Sequence, residues 1–175
     1  MNLETYLYDS LHEFDVCITI EGNPGVKIIV NGVEKFNQIA DSGKHLVNFT
    51  TNLEKYEAGY IQIEMYGKSD RDTVFQNGKI LKDVSVTIDD IVVNGVSFKK
   101  TGHIYSGIYK PVYWNNYAGD TPETMPGART LGFNGVWTYK WEESPVRNII
   151  NCFEKVELNS INDQIQEIFS ALNIR

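Results

Sequence analysis

The stretch Val84-Ser85-Val86-Thr87-Ile88-Asp89-Asp90-Ile91-Val92-Val93-Asn94-Gly95-Val96-Ser97-Phe98 decides the fold. Apolar and polar residues alternate through Val86 and Ile88, which is the period of a strand with one buried face. Asn94-Gly95 then interrupts a β-branched run. That dipeptide favours the turn with two positive φ angles that joins antiparallel strands. The stretch therefore predicts two strands and a tight turn.

Working outward, the same pattern recurs. Val16 to Ile20 reads as a strand, and Glu21-Gly22-Asn23-Pro24-Gly25 as a turn. Val26 to Phe36 forms a strand pair around Asn31-Gly32, His45 to Thr51 alternates, and Tyr60 to Tyr66 places Ile61, Ile63 and Met65 on one face. A second Asn-Gly turn stands at Asn77-Gly78 beyond a polar loop, Gly67 to Asp72. Short strands every 8–12 residues, punctuated by Gly and Asn, imply a sandwich. The expected core contains Ile18, Ile20, Ile28, Val30, Phe49, Ile61, Ile63, Val86, Ile88 and Ile91. At the start of the chain, Leu3, Leu7 and Leu11 have the spacing of a short helix or packing arm.

After Lys100 the texture changes. Tyr105 to Arg129 holds five Tyr or Trp residues among Gly, Asn and three prolines, and reads as a long ordered loop with a short strand near Val112-Tyr113-Trp114. Strand texture returns from Leu131 to Trp141. Ile161, Ile165, Ile168, Phe169 and Leu172 then lie on one helical stripe behind a cap at Asn159 or Ser160. The expected architecture is mainly β: a jelly-roll-like β-sandwich over residues 1–100, and an extension over 101–175 with a long aromatic loop, strands and a C-terminal α-helix.

Composition narrows the function. A net charge of −7 argues against nucleic acid, and neither half is basic: residues 1–100 hold 10 Lys or Arg against 15 Asp or Glu, and residues 101–175 hold 6 against 8. The N-terminus lacks the basic start and apolar run of a signal peptide, and no apolar stretch is long enough to span a bilayer. The expectation is a soluble protein made in a cytosol. Cys17 and Cys152 are read as two thiols, with a disulfide as the alternative.

Signs of catalysis are few. His12, His45 and His103 accompany no nucleophile motif or metal spacing, and Glu142-Glu143 would point to opposite faces of a strand, so they cannot flank one glycosidic bond. The expectation is a protein that is not an enzyme. Asp70, Asp72, Asp83, Asp89 and Asp90 fall within 21 residues, and calcium takes six to eight oxygens of this kind. Turns also favour Asp, so calcium is one reading and an apo protein without any cofactor is the other.

Two motifs carry a resemblance. Ile29-Val30-Asn31-Gly32-Val33 and the segment from Asp83 to Gly95 match, in order and spacing, the early strand pair and last strand of calcium-dependent xylan-binding modules. The likeness covers about residues 14–98. It implies a jelly-roll sandwich, and it makes Asp83 and Asp89, with loop oxygens near Asp70, the positions for a metal. Val84-Ser85 replaces the Arg-Asn of that family, and Thr73 to Lys82 lengthens the preceding loop.

Residues 101–175 resemble in texture structural proteins of tailed phages and cyanophages, which implies a virion component made in a host cytoplasm, with other virion proteins or further copies of itself as partners. On that reading Tyr109, Tyr113, Trp114, Tyr117, Phe169 and Leu172 are the contact residues. The alternative is a carbohydrate-binding module whose aromatic residues stack on a polysaccharide. Neither reading involves nucleic acid or a membrane.

Overall fold

The computed structural model describes residues 11–53, 58–115 and 117–151. Among these described residues thirteen strands alternate between two antiparallel sheets and one separate hairpin: β1 (Leu11–Glu21), β2 (Gly25–Val30), β3 (Val33–Ile39), β4 (Gly43–Asn52), β5 (Gly59–Tyr66), β6 (Val74–Gln76), β7 (Lys79–Lys82), β8 (Ser85–Val93), β9 (Val96–Ser97), β10 (Ile108–Val112), β11 (Met125–Pro126), β12 (Thr130–Leu131) and β13 (Asn134–Trp141). One sheet runs β12-β8-β1-β4, with β9 paired to β8, and the other runs β11-β10-β13-β5-β2-β3. The two inner faces form one core.

The alternation predicted from the sequence is realised. Phe14, Val16, Ile18 and Ile20 of β1 face Val26, Ile28 and Val30 of β2, Ile61, Ile63 and Met65 of β5, and Trp137 and Tyr139 of β13 across this core. The expected core residues are buried, except that Phe49, on edge strand β4, is half-buried and stacks on Phe14 at 5.2 Å. Each large apolar side chain so buried contributes about 1.5–3 kcal/mol.

β8 does not keep its phase. Cys17 pairs with Asp90 and Ile18 with Ile88, which leaves Asp89 as the extra residue of a β-bulge. Val86 and Ile88 before the bulge and Ile91 and Val93 after it all point inward, while both aspartates point out. The three Asn-Gly pairs form the expected turns: Asn31, Asn77 and Asn94 have φ of 47°, 53° and 48°, and the following glycines are positive too.

Two expectations are corrected, and a helix is added. Leu11 and His12 belong to β1 rather than to a helix, and Leu3 and Leu7 lie outside the described residues. The boundary at residue 100 does not divide the sandwich, because β13 hydrogen-bonds between β10 and β5 while β12 joins β8. A helix also begins well before the predicted one. Residues 145–151 are helical, capped by Ser144, whose Oγ accepts from Arg147 N at 3.1 Å, with Pro145 in the first turn. Val146 and Ile149 of this helix are buried. The helix expected at 160–174 lies outside the described residues.

Candidate functional site

The polar centre of this molecule is Lys68, just past the end of β5. Asn134, the first residue of β13, holds its backbone from both sides: Lys68 N donates to Asn134 Oδ1 at 2.9 Å, and Asn134 Nδ2 donates to Lys68 O at 2.8 Å. The side chain is then buried, and its ammonium donates to Asp83 Oδ1 and to Gly132 O, each at 2.5 Å. The rings of Trp114 and Phe133 lie 5.6 and 5.8 Å away, within cation–π range. A buried ammonium needs such partners, since an unpaired charge in this setting is costly.

Asp83 is correspondingly committed. Its Oδ1 also accepts from Thr73 Oγ1 at 2.7 Å and from Val84 N at 2.9 Å. Burial pushes this carboxyl's pKa upward, but the donors, Lys68 first, outweigh it and hold the carboxyl below the usual aspartate range. An ammonium of the chain itself therefore stands beside the carboxylate that the sequence reading offered to calcium.

The other two acidic positions lie elsewhere. Asp89 sits in the bulge on the outer face of the β8-β1-β4 sheet, where Thr19 Oγ1 donates to it at 2.6 Å. It helps line a shallow cleft of about 420 Å³ with Cys17, Lys44, His45, Asp90 and Lys99. Burial, then Asp90, Asp15 and Asp89, push the Cys17 thiol upward. Six residues of extended chain separate Asp83 from Asp89, roughly 20 Å along β8. Asp70 opens the one-turn helix Asp70–Asp72, two residues after Lys68. Among the described residues no three His, Cys, Asp or Glu side chains converge as a metal cluster. Asp90, adjacent to the bulge, instead fixes the turn after β9, accepting from Lys99 N and Ser97 Oγ at 2.9 and 2.5 Å.

The predicted aromatic positions divide. Tyr113, Trp114 and Tyr117 come together around Phe133: Tyr113 and Tyr117 stack at 5.4 Å, and Phe133 meets Tyr113, Trp114 and Tyr117 at 4.9–5.1 Å. They pack largely on one another, with Tyr117 the most exposed. The Trp114 indole N–H has no acceptor among the described residues. Tyr109 is not available to a ligand. It is buried on the inner face of β10, donates to Phe133 O at 2.5 Å, and burial pushes its pKa up to about 12. Its position in a strand paired to β13 puts it in the core, where the sequence reading had a loop. Phe169 and Leu172 lie outside the described residues, as does Cys152, while Cys17 is a free thiol.

The hairpin expected at Asn77-Gly78 is present as β6–β7. Hairpin β6–β7 forms a two-stranded sheet of its own. Phe75 pairs with Ile80 across it, and Val74, Phe75, Ile80 and Leu81 are 42, 67, 56 and 61% exposed. Its only charged residues are Lys79 and Lys82. Thr73 and Asp83 close its root through their hydrogen bond. Val74-Phe75 and Ile80-Leu81 flank Asn77-Gly78 in the sequence, but periodicity alone does not reveal how exposed these side chains are.

Comparison with solved structures finds similarity to vCBM60, from work linking two families of calcium-dependent carbohydrate-binding modules by circular permutation. Its selenomethionine form matches at TM-score 0.46 and 17% identity, covering 73% of this chain and 89% of that one. The same module in complex with galactobiose matches at TM-score 0.44 and 18% identity, over 74% and 99%. No family model matches the chain, and no curated protein does. No helix among the described residues is long and apolar enough to cross a membrane.

Proposed function

We propose that this chain is a non-catalytic attachment domain that joins a larger protein assembly, a virion component in the reading that its C-terminal texture suggests. The observation that carries this reading is the hairpin 74–82. Four large apolar side chains stand in solvent on nine residues, and a two-stranded hairpin has no core to bury them in. Such a patch is stabilised when a partner covers it. Its two lysines add a weak positive charge to an otherwise acidic protein.

The test pairs composition with mutation. Mass spectrometry of purified particles should find the chain in fixed stoichiometry, and Phe75→Ser with Ile80→Ser should abolish its incorporation while leaving its melting temperature unchanged. Incorporation of the doubly substituted chain at the normal level would remove the hairpin as the contact.

A second reading rests on a separate observation. Tyr117 is partly exposed over the Tyr113 ring, with Asn115 and Asp120 exposed beside it in sequence, an arrangement suited to stacking on a sugar ring. Retardation of the free chain by a polysaccharide gel, lost in Tyr117→Ala, would favour carbohydrate binding.

A further inference from the structure

We infer that Lys68 is a positioning residue that fixes the root of hairpin 74–82 and the aromatic cluster around Phe133 to one another, so that the two form a single surface. The inference rests on the attachment reading above for its purpose, but not for its geometry. One ammonium is shared by the hairpin root and by the aromatic cluster, whose own segments already meet through the Trp114 and Phe133 rings. Asp83 belongs to the hairpin root, where Thr73 also bonds it. Gly132 and Phe133 belong to the connection between β12 and β13, and Trp114 belongs to the segment after β10.

Among the described residues β6–β7 pairs with no strand of either large sheet, while residues 113–115 and 132–133 lie outside any strand, next to the Val112–Asn134 pair of β10 and β13. What links the hairpin root to that cluster is a cation that donates to Asp83 on one side and to Gly132 on the other. The reciprocal bonds between Lys68 and the Asn134 side chain anchor that cation to the rigid end of β5 and β13. A lysine suits this role because its three donors need not be coplanar, whereas an arginine presents a flat fork.

Hydrogen–deuterium exchange on the full chain tests the inference. Lys68→Met should speed exchange by about tenfold or more in two places together, residues 73–83 and 113–117, while β1 and β8 stay protected. Faster exchange in only one of the two segments, or an equal increase across the whole sandwich, would overturn it. If Lys68→Met fails to fold, Lys68→Met with Asp83→Asn removes both charges and should show the same paired loosening. Because this readout needs no partner, paired loosening without any assembly phenotype would sink the attachment reading alone.

Discussion

The Nζ of Lys68 lies 2.5 Å from Oδ1 of Asp83, although only 1% of the lysine side chain and 21% of the aspartate side chain reach solvent. Removing one partner should therefore hurt more than removing both. Asp83→Asn leaves the ammonium buried against neutral groups and should cost about 3–5 kcal/mol, whereas the double change with Lys68→Met should recover much of that. Urea midpoints of the two singles and the double measure the coupling, and additive effects would refute it. Because the folded pKa of Asp83 is lowered, its stabilisation is present above the unfolded value near 3.8 and is lost as pH falls through the lower folded value. The wild type should lose stability in that acid window more steeply than Asp83→Asn.

His103 gives a second pH dependence nearer neutrality. It is buried against Phe98 and Tyr139, and burial lowers its pKa, the bond with Thr101 only partly opposing this. The neutral ring is the one the core accepts. Stability from this residue is complete above the unfolded value of 6.5 and falls as pH drops through the lower folded pKa. Thermal midpoints measured from pH 7.5 down to about 5 should decline, with a shallower decline in His103→Gln. Equal slopes would count against the assignment.

Calcium should leave the protein's melting temperature where it is. Asp83 already faces an ammonium, Asp89 is roughly 20 Å further along β8, and no cluster of three metal-ligating side chains is found among the described residues. A native-state ligand at a hundred times its Kd would add about 2.7 kcal/mol of stability. Melting curves in millimolar calcium and in chelator should superimpose, and a clear calcium-dependent rise would show a site elsewhere.

Burial separates two isoleucines of one sheet. Ile63 is fully buried at the centre, paired with Ile28 on one side and Trp137 on the other, while Ile39 ends edge strand β3 and is 73% exposed. Ile63→Ala should cost about 2–5 kcal/mol and Ile39→Ala less than about 0.5 kcal/mol by denaturant unfolding. Similar losses at both positions would mean that the faces are misassigned.

The sandwich was legible because strand period and turn chemistry are local. Ile61, Ile63 and Met65 declare a face by alternation, and Asn31-Gly32, Asn77-Gly78 and Asn94-Gly95 declare turns by tolerating positive φ. What lies on either side of a strand is not local. Tyr109 and Tyr113 sit four residues apart in one aromatic-rich stretch, yet β13 pairing carries Tyr109 into the core and leaves Tyr113 in a cluster at its edge. The same limit hid the role of Lys68. Its partners Asp83, Trp114, Gly132 and Asn134 lie 15 to 66 residues away, so only the folded chain brings one ammonium within reach of all of them. By itself the sequence determined the two-faced strands and their turns, through steric preferences that act within a few residues. Tertiary structure decided which carboxylate a lysine neutralises and which apolar hairpin stays uncovered, because charge pairing and burial depend on distance in space.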